Sequence, residues 1–329
     1  MGLNIELLGQ IFIFGFDKES FSFEFIQLYQ NWNLGGVILF PRNIVSSDQL
    51  SELTNLLKSI SKIPPFIMID QEGGEVNRIT KDFPLSPSNK YFGDEEDKEG
   101  LFQAYKTTAK NLKRLGINVN LAPVVDVLTN PKNQVIGERS FGSDAEKVAE
   151  FSKIAIQAIH SEGILACAKH FPGIGDINLD PHQDLPYNHN SKERFQTIDF
   201  IPFKEAITSE VDFIMSTHVL CPNLDPKEPA SLSPVICNQI LKEELKFGGL
   251  LITDDLGMGA IKKNYSLENA CEKAFSAGND LILVCEEFEK QEKILEHFKK
   301  LLMDKKLDED LLSARIAKIM AKKKESIWE

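Results

Sequence analysis

The chain is 329 residues long, 42% hydrophobic and 26% charged, with a formal net charge of −12. That length buries a large core, as one big barrel or two ordinary domains, and the composition is that of a globular chain without low-complexity tracts. The acidic balance excludes a nucleic-acid groove, which needs a basic surface, and docking on anionic lipid.

The five cysteines, Cys167, Cys221, Cys237, Cys271 and Cys285, are odd in number and scattered without a CxxC pair. That usage fits a reducing compartment better than a disulfide framework. The amino-terminal MGLNIELLGQIFIFGF has an apolar run but no cationic leader and no small-residue cleavage site, and no run approaches a membrane span. The expectation is a soluble, cytoplasmic protein, a monomer, with no membrane and no nucleic acid among its partners.

In chain order the first apolar run is QIFIFGF (10–16), with a helical stretch at 20–32 behind it. GGVILF (35–40) precedes the cap formers Ser46, Ser47 and Asp48, after which Leu50, Leu53, Leu56, Leu57 and Ile60 recur at helical spacing. PFIMID (65–70), INVNLAPVVDV (117–127) and GILACAKH (163–170) are followed by helical patterns at 95–115, 144–161 and 192–209. VDFIMSTHV (211–219), GLLITDD (249–255) and NDLILVC (279–285) precede those at 234–246, 266–277 and 288–302. Most of the strands are continuously apolar, as strands buried on both faces are. Eight β-then-α units predict an α/β fold, the (β/α)8 TIM barrel, and no Pro- or Ser-rich linker divides residues 1–329 into more than one domain. A doubly wound open sheet, the alternative, needs no such even count. In the tail, 303–329, Leu311, Leu312, Ile316 and Ile319 predict an extra C-terminal helix packed on the barrel, and the lysines at 322–324 read as its solvated end.

Chemistry in such a barrel sits where strands end and βα loops begin. Those positions hold Arg42, Asp70, Asp126, Lys169 with His170, His218, and Asp254 with Asp255. Singly, each has an ordinary structural part open to it: His218 as a hydrogen-bonded wall residue, Lys169 as an ion-pair partner of Asp126, Arg78 as a surface pair. Together, polar groups at one end of apolar strands mark a site, because charges cost several kcal/mol to desolvate unless paired or used. Strand alternation lets only one of Asp254 and Asp255 face the axis, and Asp254 is the choice, with Asp255 turned to packing or capping. Paired carboxylates suggest glycoside hydrolysis, yet no glutamate stands out as the acid. The loop KHFPGIGDINLDPHQDLP (169–186) offers His182 instead, an imidazole that titrates near neutrality, with Asp180 two residues before it to orient the ring. A metal site built from His170, His182, His218 and Asp254 is the rival explanation.

GGVILFPRN, DQEGGEVNR, LAPVVDV, GERSFGSD (137–144), KHFPGIG, DPH and ITDDLGM occur in that order. Together they resemble the motifs of glycoside hydrolase family 3, and within it the single-domain bacterial β-N-acetylglucosaminidases of the NagZ type, over approximately residues 30–285. The resemblance implies Asp254 as nucleophile, His182 as general acid/base and Asp180 as its partner. It implies Asp70, Arg78, Arg139, Lys169 and His170 as ligands of a non-reducing-end N-acetylglucosamine, with neither metal nor organic cofactor. The implied activity is a retaining exo-β-N-acetylglucosaminidase acting on peptidoglycan-derived muropeptides or related small glycans. Family 3 enzymes of other sugar specificity, or with phosphate as acceptor, are the near alternatives. Ile174 stands where the motif usually has histidine, Pro181 where it has serine, and Glu75 where a basic residue is common. A metal-dependent amidohydrolase-type barrel fits less well, since the first strand lacks its HxH. A non-catalytic glycan-binding barrel is opposed by the retention of Asp254, Asp180 and His182.

Overall fold

Eight short parallel strands carry the architecture: β1 (Phe12–Phe14), β2 (Gly36–Leu39), β3 (Phe66–Ile69), β4 (Val119–Asn120), β5 (Leu165–Phe171), β6 (Phe213–Ser216), β7 (Leu250–Thr253) and β8 (Ile282–Val284). The computed structural model describes residues 5–177 and 185–327. Strands β1 to β7 pair in chain order, β8 pairs with β1, and a bridge from Ile252 in β7 to Leu281, just before β8, closes the sheet into a barrel. Every one of these strand residues is buried, which is why the strands read as unbroken apolar runs rather than alternating ones.

A helix follows each strand: α1 (Phe23–Trp32), α2 (Ser47–Ile60), α3 (Lys98–Arg114), α4 (Ala145–His160), α5 (Phe200–Thr208), α6 (Val235–Glu244, with π-type hydrogen bonding), α7 (Leu267–Ala277) and α8 (Phe288–Met303). The sequence-based boundaries hold closely where cap residues mark them. The Ser46 hydroxyl accepts from Gln49 N at 3.2 Å to start α2, and Leu50, Leu53 and Leu57 bury its inner face while Leu56 stays exposed. Two of the expected elements need correction. The strand expected over 117–127 shrinks to Val119–Asn120 plus a single bridge between Val124 and Lys169, because Pro123 has no amide to donate to a ladder. The helix expected over 192–209 is broken into a short turn, a π-type segment (Phe195–Asp199) and α5, with Pro202 seated in the first turn of α5, where no intrahelical amide bond is lost.

The extra helix α9 (Glu309–Ser326) packs Leu312, Ile316 and Ile319 against the barrel. The run 322–324 is only in part the solvated helix end that composition suggests: Lys324 is exposed and Lys322 half-buried. Lys323 is fully buried, its Nζ donating to Gln10 Oε1 at 2.8 Å and Gly35 O at 2.7 Å and standing 4.9 Å over the Phe66 ring. Phe66 in turn meets Phe213 edge-on at 5.3 Å. Since Gly35, Phe66 and Phe213 lie at strand starts, α9 seals the amino-terminal end of the barrel and leaves the carboxyl-terminal end to the loops. Among the described residues no helix is long and apolar enough to cross a membrane.

Candidate active site

The carboxyl ends of the strands surround a cavity of about 470 Å³. Asp70 stands one residue past β3, Lys169 and His170 near the end of β5, and Asp254 one residue past β7. Arg78 comes from the end of a small hairpin after β3 and Arg139 from a turn in the loop after β4. All six line the one cavity, together with Arg42. Asp180 and His182 lie outside the described residues. Neighbours in a strand normally face opposite ways, yet Lys169 and His170 both reach the cavity. The β5–β6 register shifts between Lys169 and Phe171, and such an extra residue re-aims side chains at a barrel rim.

The charges are wired to one another. Lys169 Nζ lies 2.7 Å from Asp70 Oδ1 and 2.5 Å from Glu72 Oε1, while Arg78 Nη2 approaches Asp70 Oδ2 at 3.3 Å. Glu72 also receives a two-pronged pair from Arg139, Nε at 2.8 Å and Nη2 at 2.9 Å, the planar geometry that makes arginine–carboxylate pairs strong. Burial alone would push the Glu72 carboxyl up; Arg139 and Lys169 overcome it and hold the carboxyl far below the usual range. The same contest at Asp70, burial against Lys169 and Arg78, also ends below the ordinary value. Lys169 therefore pairs with Asp70 and Glu72 rather than with Asp126, and Glu72 is a member of the site that the sequence reading passed over. The signal available was a carboxylate two residues after Asp70 in a Gly-rich turn.

His170 is oriented from behind. Arg139 Nη2 lies 3.2 Å from His170 Nε2. A guanidinium only donates, so Nε2 accepts and the ring proton sits on Nδ1, donated to Asp126 Oδ2 at 2.7 Å. Asp126 is 1% exposed and also accepts the amides of His170 (3.2 Å) and Ile174 (2.7 Å). It is a supporting group, removed from the cavity by one side chain.

Asp254 and Asp255 both line the cavity, contrary to the expectation that only one faces inward. Both follow the last strand residue, Thr253, so the pleat no longer dictates their directions. Their surroundings separate them. Asp255 Oδ1 accepts the amides of Gly257 and Cys285, each at 2.9 Å, tying the β7 and β8 loops together. Burial, with the like charge of Asp254 adding to it, raises the Asp255 carboxyl against the pull of those two amides. Among the described residues Asp254 Oδ1 accepts from the neighbouring Asp255 amide, at 2.8 Å. His218 is fully buried, its Nδ1 2.7 Å from Ser231 Oγ and its Nε2 2.9 Å from the Asp255 carbonyl. It is a wall residue that braces the backbone beside Asp254. Among the described residues no three His, Cys, Asp or Glu side chains group as a metal site would.

The chain matches the glycosyl hydrolase family 3 N-terminal domain over residues 7–321, beyond both ends of the span over which the motifs resemble that family. It is 35% identical over 329 residues to Beta-hexosaminidase A of Pseudoalteromonas piscicida, an alignment covering 91% of this chain and 55% of that protein. It is similar in structure to a glycoside hydrolase family 3 β-N-acetylglucosaminidase from a Paenibacillus species (35% identity, TM-score 0.94, 97% of this chain and 62% of that one). It is also similar to NagZ from Neisseria gonorrhoeae in complex with N-trifluoroacetyl-D-glucosamine (28% identity, TM-score 0.84, 94% and 89%). The chain thus spans little more than half the length of the first two relatives.

Proposed function

The chain belongs to the glycosyl hydrolase family 3 N-terminal domain family, and on that premise we propose that it is a retaining exo-β-N-acetylglucosaminidase. The observation that carries this reading is the meeting of Asp254 with Asp70, Arg78, Arg139, Lys169 and His170 around one cavity at the catalytic end of a barrel. The names of the relatives, a β-hexosaminidase and two proteins described with N-acetylglucosaminidase activity or an N-acylated glucosamine ligand, favour an N-acylated amino sugar as the glycone.

In this mechanism the sugar hydroxyls exchange water for the fixed charges of Asp70, Lys169 and Arg78, with Arg139 holding the His170 ring against the same pocket. Asp254 attacks the anomeric carbon as the glycosidic bond breaks, and His182, oriented by Asp180, gives its proton to the departing oxygen. A glycosyl–aspartate ester results. His182 then takes a proton from water, whose oxygen attacks the same carbon and returns the Asp254 carboxylate, so the anomeric configuration is retained. No metal or organic cofactor takes part. We assign the leaving group to anhydro-N-acetylmuramic acid carrying a peptide, as in peptidoglycan recycling, and the compartment to the cytoplasm. A panel of p-nitrophenyl β-glycosides of GlcNAc, GalNAc and glucose, followed by NMR of the first-formed anomer, tests the reading. Preference for GlcNAc with β-product supports it, and preferred cleavage of the glucoside or α-product refutes it. A GlcNAc–anhydromuropeptide offered beside chitobiose tests the leaving group.

A further inference from the structure

Asp199 has no place in that mechanism, yet its burial calls for a reason. It ends the π-type segment before α5 and is 1% exposed, and among the described residues neither carboxyl oxygen has a partner in good hydrogen-bond geometry. The Asn190 side chain lies close enough to favour its ionised form, a smaller influence than burial. An ionised carboxylate in that position costs far more to desolvate than a neutral carboxyl does. The groups facing it are Arg194 from its own segment, Asp126 from the loop after β4, Asp176 from the loop after β5 and Cys221 from the loop after β6. The cation among them is committed in part to other groups: Arg194 Nη2 donates to Thr129 Oγ1 at 2.7 Å and lies 3.5 Å from Asp176, while its Nε has no hydrogen-bond partner among the described residues. Burial, opposed by Arg194 and reinforced by Asp126 and Asp176, pushes the Asp199 carboxyl up to about 7.

Gly173 lies directly against this carboxyl. Its φ is +117°, and a Cβ there would stand 2.9 Å from Asp199 Cβ and 3.2 Å from Oδ1, so the turn has no room to move toward Asp199. The next residue, Ile174, lines the cavity and gives its amide to Asp126, which orients His170. A continuous path therefore runs from Asp199 through Gly173, Ile174 and Asp126 to the imidazole in the site.

We propose that Asp199 is a positioning residue for His170: its neutral carboxyl supports the Gly173–Ile174 turn, and its ionisation sets a second negative charge behind Asp126, shifts that turn and weakens sugar binding. The proposal rests on the reading that His170 holds the sugar. The test compares wild type with Asp199→Asn, an isosteric group that cannot ionise, from about pH 5.5 to 8.5. KM and kcat on p-nitrophenyl β-GlcNAc are read alongside hydrogen exchange of the Ile174 amide, corrected for its intrinsic pH dependence. In wild type KM rises several-fold above about pH 7, more than kcat falls, and protection of Ile174 drops in the same range. In Asp199→Asn both stay at their low-pH values. A purely structural Asp199 predicts a less stable variant whose KM profile tracks wild type, and that result overturns the proposal. Should the asparagine variant fail to fold, Asp199→Ser carries the same comparison. If no glycoside is cleaved at all, the functional reading fails by itself; the exchange measurement still decides, since pH-independent protection of Ile174 in wild type overturns the proposal.

Discussion

Asp254 and Asp255 are adjacent, chemically identical and both at the cavity, so their division of labour is a matter of contacts. Asp255 spends its Oδ1 on two backbone amides, and Asp255→Asn should lower turnover only moderately, by loosening the loop beside Asp254. Asp254→Ala should abolish measurable turnover and leave no trapped glycosyl-enzyme in mass spectra with a fluorinated slow substrate. An adduct that persists and maps to Asp255 reverses the assignment. For His182 the expected signature is selectivity: His182→Ala loses activity strongly on a sugar with a poor leaving group and far less on an activated aryl glycoside. Equal losses on both count against a proton donor. Glu72 belongs to the same scale. Its carboxyl is held below the ordinary value of 4.5 in the fold, so its ion pairs add stability above that pH and lose it as pH falls toward the folded value. Removing one partner of a buried pair costs about 3–5 kcal/mol. Glu72→Gln should therefore lower the urea midpoint near neutral pH, flatten its decline on acidification, and raise KM more than it lowers kcat. A midpoint that falls with acid as steeply as in wild type contradicts this.

At the scale of elements, the loops after β3, β4 and β5 act as one unit. Arg139 comes from the second, Glu72 from the first, Lys169 and His170 from the end of β5 that leads into the third, and none of their positions is independent of the others. Helix α9 does the corresponding work at the opposite end. Lys318 pairs with Asp280 at 3.1 Å, Lys322 with Asp212 at 3.1 Å, and Lys323 plugs the floor. Because Lys323 is fully buried and has no carboxylate partner among the described residues, burial depresses its ammonium well below the ordinary 10.5. Between the folded and unfolded values the unfolded chain binds the extra proton, so stability rises with pH across that window. The urea midpoint of wild type should climb as pH rises toward the ordinary value of 10.5, and Lys323→Met should remove most of that climb. If the variant climbs as wild type does, some other group titrates in that range.

For the whole molecule, the regular β-then-α alternation was readable because a barrel strand is buried on both faces and so leaves an unbroken apolar run, while its following helix leaves a 3.6-residue pattern and a cap. Polarity was readable too: charges collected where the runs ended, and that end is the cavity. Irregular stretches were less legible. Pro123 cut the fourth strand short of the expected 117–127, and the bulge at Lys169–Phe171 turned two neighbouring side chains the same way. Neither follows from periodicity, which assumes an even pleat.

The amino-acid order by itself determined eight strands, eight helices, a closing C-terminal helix and the identity of the residues at the strand ends, since each is written within a stretch of a few turns. Which of those residues pair was decided only by closure of the barrel. Arg139 finds Glu72 across 67 positions and Lys323 finds Gln10 across 313, and no local pattern encodes a partner so distant. Burial made those pairings obligatory: a charge taken out of water must find its opposite, a dipole or a proton. Lysine at 323, surface-like in composition, became the floor of the barrel for that reason.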